Sequence, residues 1–249
     1  MNNYKLLISY DGTRYYGWEH QPDKEWTIQG KIETVLARML DMPQGEVPKV
    51  IAAGRTDAGV HAKEMTANVI LDTDMEPEAV QAYLNEYLPE DISINEVRIA
   101  SPRFHARYNA LGKTYCYSLY YGDSKPVFDR KYVLFLKERP NMEKMRKAAE
   151  YMVGSHDFKS FCGNPKMKKS TVRNVDSIEI KQKGPYIRIY YHGTGFLQNM
   201  VRIMTGTLLD VAYGKKNPDD IPKIIEAKER KEAGPTAPPQ GLMLIKVDY

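Results

Sequence analysis

Cysteine is scarce in this chain: Cys116 and Cys162 are the two it has among 249 residues. Two thiols cannot build a disulfide framework, and they do not have the spacing of zinc ligands. Long apolar runs are missing. No stretch approaches the roughly 18 apolar residues that a membrane span requires, and the opening MNNYKLLISYDG has no basic segment leading into a long apolar one. Phenylalanine is rare, 6 residues against 18 tyrosines. Strong net charge is also absent, since 36 Lys plus Arg against 32 Asp plus Glu leaves +4. That balance permits a polyanionic partner without requiring one. There is no phosphate-binding P-loop, no dinucleotide G-x-G-x-x-G, no His/Cys metal cluster and no G-x-S-x-G serine elbow. These absences exclude a secreted disulfide scaffold and a helical membrane protein. They leave an intracellular chain that works without a metal, in a reducing cytoplasm.

What is present is a foldable chain. Apolar residues make up 42% of it, enough for one large domain or two lobes. YKLLISY (4–10) reads as a strand stopped by Asp11-Gly12. Ile28, Ile32, Val35, Leu36, Met39 and Leu40 have helical spacing over 28–41. Strands are expected at 49–53, 66–71 and 92–99, with a helix at 77–87. The second half offers a strand at 113–121, a helix at 141–153, and a hairpin of VDSIEIKQ and YIRIYYHG through Lys183-Gly184-Pro185. Helices at 196–213 and 218–230 and a final strand GLMLIKVDY complete it. Hairpins are frequent, so the expected class is α+β with a mixed, largely antiparallel sheet flanked by helices. The division is placed after residue 105, with lobes of 1–105 and 106–249 around a central cleft.

Three features are able to carry chemistry. The first is AAGRTDAGVHA (52–62). It sets Arg55, Asp57 and His61 among small residues, with glycines that let the backbone turn sharply and lie close to a ligand. Asp57 is the strongest candidate for a reactive carboxylate, as nucleophile or base. The plainer alternative is an aspartate that caps its own turn. His61 reads as structural. The second is the helix at 196–213. Phe196, Leu197, Met200, Val201, Met204 and Leu208 make an apolar stripe, and Gln198, Asn199, Arg202, Thr205 and Gly206 lie opposite. A face with one charge resembles the wall of a cleft more than a solvated surface. Arg202 there is suited to a carboxylate or a phosphate. The third is a basic run without acidic residues, Lys159, Lys166, Lys168, Lys169 and Arg173. It is either a solvated loop or a phosphate-binding one. The tyrosines suit base stacking as well as core packing.

GRTDAGVHA (54–62) resembles the active-site motif of the TruA family of tRNA pseudouridine synthases. YDGTRYYGW (10–18), TIQGKIE (27–33), LNEYLPEDI (84–92), FHARYNALGKTYCY (104–117), GFLQNMVRIMTGTL (195–208) and APPQGLMLIKVDY (237–249) resemble further segments, in the family's order. The resemblance covers nearly the whole chain, with departures at Glu19 and Met65, where the family commonly has glutamine. It implies a pseudouridine-synthase-like fold and a cofactor-free isomerase that converts uridines at tRNA positions 38 to 40, in the anticodon arm, to pseudouridine. It matches Asp57 to the catalytic aspartate, Tyr115 to the tyrosine that stacks on the target base, and Arg202 to the aspartate's basic partner. Arg55 matches the arginine of base flipping. It also implies a homodimer bridged by tRNA. The rivals are an RNA-binding module without catalysis, a pseudouridine synthase for another RNA, and a small-molecule hydrolase built on Asp57. That hydrolase has no use for the basic run.

Overall fold

The computed structural model describes residues 1–21 and 23–249. The chain divides into two compact units, Met1–Leu111 with Leu244–Tyr249, and Gly112–Met243. The sequence pattern places the division after residue 105. The packing places it after Leu111 and returns the last six residues to the first unit.

The first unit contains β1 (Asn2–Tyr10), α1 (Ile28–Met39), β2 (Ile51–Ala52), β3 (His61–Leu71), α2 (Pro77–Tyr87) and β4 (Ile92–Ala100). β1 pairs antiparallel with β3 on one side and β4 on the other, and β2 adds antiparallel to β3. Tyr4, Leu6 and Ile8 alternate along β1 and are fully buried, as period-two patterning requires. α1 starts where the Thr27 hydroxyl accepts from Gly30 N at 3.2 Å. Ile28, Ile32 and Leu36 are its buried stripe. α2 takes Pro77 at its start, buries Val80 and Leu84, and packs on β4 and α1. One expectation needs correcting: the strand foreseen at 66–71 begins at His61. Its first residues lack an apolar/polar alternation because both faces of β3 are largely covered. Thr66 and Asn68 are among its buried polar residues. Asn68 offsets the cost of its burial by donating to Asn3 Oδ1 at 3.0 Å and accepting from Ala106 N at 2.8 Å.

The second unit contains β5 (Gly112–Tyr121), β6 (Leu134–Leu136), α3 (Met142–Glu150), β7 (Gly154–Asp157), β8 (Val172–Lys183), β9 (Tyr186–Gly193), α4 (Met200–Ala212) and α5 (Ile221–Ala227). Strand β10 (Leu242–Asp248) follows, and from Leu244 onward it belongs to the first unit. The order β5-β9-β8-β7 is antiparallel throughout, and β6 lies parallel to β5. α+β architecture with largely antiparallel sheet is therefore what the chain forms.

The helix expected at 196–213 is shorter. Asn199 has φ 58°, a left-handed conformation that cannot continue a helix, so α4 starts at Met200. The face opposite its apolar stripe is mostly packed against protein. Thr205 is fully buried, bonding the Tyr191 hydroxyl and the Val201 carbonyl, each at 2.8 Å. Gly206 lies against the Pro235 carbonyl so closely that a Cβ would meet it at 1.8 Å. α5 is shorter than expected as well, ending where Lys228 turns left-handed at φ 54°.

Candidate active site

In the first unit, Asp57 sits on the loop between β2 and β3. The segment Asp11–Trp18 clasps that loop through main-chain contacts. Trp18 N donates to Thr56 O at 3.1 Å and Gly59 N donates to Tyr15 O at 3.2 Å. Within the loop, Val60 N donates to Asp57 O at 3.1 Å. Buried Thr56 bonds the Tyr10 hydroxyl at 2.8 Å. The approach is too close for side chains. A Cβ on Gly12 would stand 2.0 Å from Val60 O, and one on Gly17, itself at φ +97°, would stand 2.7 Å from Thr56 O. The backbone that bears Asp57 is thereby fixed while its carboxylate stays half-buried.

His61 is buried, and its Nδ1 accepts from Gly12 N at 3.1 Å, with Asp11 Oδ1 at 3.1 Å. It ties the clasp to the start of β3, which is the structural role read from the sequence. Tyr15, whose carbonyl holds Gly59, donates its own hydroxyl to Asp91. Burial, then that bond, raises its pKa, so it stays a donor across the physiological range. Arg55 is exposed and ion-paired with Glu19. Sequence reasoning missed Gly12, Gly17 and Glu19 as shapers of this loop, although all but Glu19 lie in segments it had singled out.

In the second unit, Tyr115 lies in the middle of β5, opposite Tyr191 of β9. It is 8% exposed, and the edge of Phe196 meets its ring at 5.3 Å and 85°. Arg202 is in the first turn of α4. Its Nε donates to Ala237 O at 2.8 Å and its Nη1 to Asn199 Oδ1 at 2.8 Å. Ala237 N in turn donates to Arg202 O at 3.1 Å. The guanidinium is thus oriented from two sides. Its positive charge opposes the effect of burial on nearby Tyr117, whose pKa is nevertheless raised. The Tyr117 hydroxyl donates to Pro238 O at 2.7 Å.

The four lysines of the basic run lie in the loop between β7 and β8, and Arg173 is the second residue of β8. Lys159, Lys166, Lys168 and Lys169 are exposed. Arg173 differs: its Nη1 donates to Ser170 O at 3.0 Å and Val172 O at 2.6 Å. The loop also touches the turn that leads into α4, where Gly163 N donates to Gln198 O at 2.8 Å. Arg55 and Asp57 are thus neighbours in one unit. Tyr115, Arg202 and the basic loop belong to the other. Among the described residues, no group of three His, Cys, Asp or Glu side chains has metal-ligand geometry.

Known proteins resemble this chain over its full length. The family model described as tRNA pseudouridine synthase matches residues 6–109 and 148–249, which include Arg55, Asp57 and Arg202. A protein named tRNA pseudouridine synthase A from Bacillus sp. (strain KSM-64) is 45% identical over 249 residues, covering all of both chains. A protein of the same name from Caldicellulosiruptor bescii is 43% identical over the full length of both. One named tRNA pseudouridine synthase A 2 from Clostridium perfringens is 41% identical, again over the full length of both.

Proposed function

Because the chain belongs to the TruA family of tRNA pseudouridine synthases and is an isomerase of that class, we propose that it isomerises uridine at positions 38 to 40 of the tRNA anticodon arm, with Asp57 as the catalytic carboxylate and no cofactor. The observation that carries this reading is the clasped loop, where two glycine approaches and three backbone hydrogen bonds hold the main chain around a half-buried aspartate. Such rigidity serves a reacting group, since a small misplacement of a catalytic atom is costly in rate.

The reaction breaks the bond between N1 of the base and C1′ of the ribose. The uracil rotates, and C5 bonds to C1′. C5 loses its proton to solvent, N1 gains one, and the atoms balance without a second substrate. Asp57 acts on the base or the sugar as nucleophile, or as the base that removes a proton. Arg202 is the basic residue of the catalytic set. Its bonds to Ala237 O and Asn199 Oδ1 support that role, because they fix the orientation of the guanidinium. Tyr115 supplies a ring face for the extruded base, whose removal from the stack costs a few kcal/mol. Arg55 stands beside Asp57 to fill the gap that the base leaves. Lys159, Lys166, Lys168, Lys169 and Arg173 hold the tRNA backbone. The enzyme works as a cytoplasmic homodimer.

The test is tritium release from tRNA transcripts labelled at C5 of uridine. Wild-type protein releases the label, and Asp57→Asn, folded and still binding tRNA, does not. Release by Asp57→Asn at the wild-type rate overturns the role of Asp57. Mapping the label to positions outside 38 to 40 overturns the site assignment.

A further inference from the structure

Between Glu96 and Asp123 the sequence has no acidic residue, yet it has Arg98, Arg103, Arg107 and Lys113. Within this stretch, the segment 101–111 of the first unit has an inner and an outer row. The inner row is pinned. Asn3 Nδ2 donates to Ser101 O at 2.9 Å and to Phe104 O at 3.0 Å. Ala106 N donates to Asn68 Oδ1 at 2.8 Å, and Ala106 O accepts from the Tyr249 hydroxyl at 2.7 Å. The Phe104 and Tyr249 rings meet at 5.2 Å, and the Lys5 ammonium lies over both, at 5.1 and 4.3 Å. Leu111 N donates to Asp248 O at 2.9 Å.

The outer row faces solvent. Arg103 and Arg107 are exposed, and Tyr108 is 79% exposed. This tyrosine is not loose. Its ring stacks on His105 at 4.2 Å and 28°. The imidazole beneath it is oriented by backbone donors, with Nδ1 accepting from Arg107 N at 3.2 Å and Tyr108 N at 3.3 Å. One ring face is therefore backed by His105 while the ring stays largely exposed, and Arg103 and Arg107 precede it in the sequence. A tyrosine this exposed contributes little to a core, so its fixed orientation calls for another reason. An aromatic face presented beside guanidinium groups is the chemistry that binds an unpaired nucleotide, the base on the ring and the phosphate on the arginine.

We propose that His105 and Tyr108, with Arg103 and Arg107, form a nucleotide-stacking platform that holds an unpaired residue of the tRNA, separate from the loop that carries Asp57. The proposal rests on the tRNA reading above. It commits to RNA because the charges that the outer row offers are positive, and because the ring is backed for stacking.

The experiment is filter binding of unmodified tRNA across a salt series, with tritium release run in parallel. Tyr108→Ala weakens binding by about tenfold, the usual scale for removing one base stack. Tyr108→Phe keeps the ring and restores wild-type affinity. Arg103→Gln with Arg107→Gln makes the plot of log affinity against log salt shallower, by about 0.7 to 0.9 for each phosphate no longer neutralised. If wild-type protein binds tRNA and releases tritium, but Tyr108→Ala binds within twofold of it and the arginine pair leaves the slope unchanged, the platform is refuted and the enzymatic reading stands. If Tyr108→Phe is as weak as Tyr108→Ala, stacking is refuted as the cause. If the wild type neither binds tRNA nor releases label, the enzymatic reading fails, and the platform with it.

Discussion

Arg55 reaches Glu19, and both side chains are largely in water. An ion pair of that kind contributes about 0 to 1 kcal/mol to stability, so its meaning lies elsewhere. The Glu19 carboxylate holds the arginine beside Asp57 in the free protein and repels an approaching phosphate. Glu19→Gln is therefore expected to tighten tRNA binding several-fold at low salt, with the gain fading as screening increases. The melting temperature should move little. Binding that is unchanged at every ionic strength would show that Arg55 is not restrained by this pair. The sequence holds both residues, but nothing in it announces that positions so far apart along the chain meet across a clasped loop.

At the scale of elements, the loop of Asp57 is shaped by what its neighbours lack. Gly17 combines φ +97° with a close approach to Thr56 O, so Gly17→Ala has to strain its own backbone and push the loop away. A stability loss of about 1 to 3 kcal/mol is expected from the strain. A fall in kcat of about 100-fold is expected from the displaced carboxylate, with tRNA affinity much less affected. If chemical denaturation shows the stability loss while kcat is retained, the clasp does not position Asp57. This loop was legible in the sequence because its residue types are so unusual together. The neighbouring logic in α4 was less so. Helical periodicity separates an apolar stripe from a polar one, and Thr205 and Gly206 read as a cleft wall. Periodicity has no means of telling a polar face turned to a ligand from one whose hydroxyls bond other buried groups, as Thr205 does with Tyr191. Arg202 on the same face is half-buried and oriented by the Ala237 carbonyl. The short strands β6 and β7 escaped notice because three- and four-residue pieces carry no period to detect.

For the molecule as a whole the positive excess is modest, and part of it lies in the loop between β7 and β8. Its two ends are joined by Asp157. That carboxylate accepts from the Thr171 hydroxyl and from Lys159 N, at 3.3 Å for the latter, and pairs with Lys228 Nζ at 3.0 Å. Phe158 N adds a bond to Thr171 O at 3.1 Å. The Thr171 bond, more than the Lys228 charge, lowers the Asp157 pKa. A depressed carboxylate stabilises the fold above its unfolded pKa, and that contribution is lost as pH falls through the lower folded value. The loop ends should therefore stay closed at neutral pH and begin to open only under acid conditions, a change readable by hydrogen exchange at residues 158–171. With its ends closed, the loop offers four exposed lysines, while Arg173 already donates to two carbonyls. Replacing Lys159, Lys166, Lys168 and Lys169 together by glutamine is expected to lower tRNA affinity steeply. It should also make the log-log salt plot shallower by as much as about 3, if each lysine meets a phosphate. Arg173→Gln alone should change that slope less than any single lysine does, because its guanidinium serves the loop first. Equal slopes for wild type and the fourfold variant would mean that the run is a solvated loop, and that the tRNA backbone is held elsewhere on the chain.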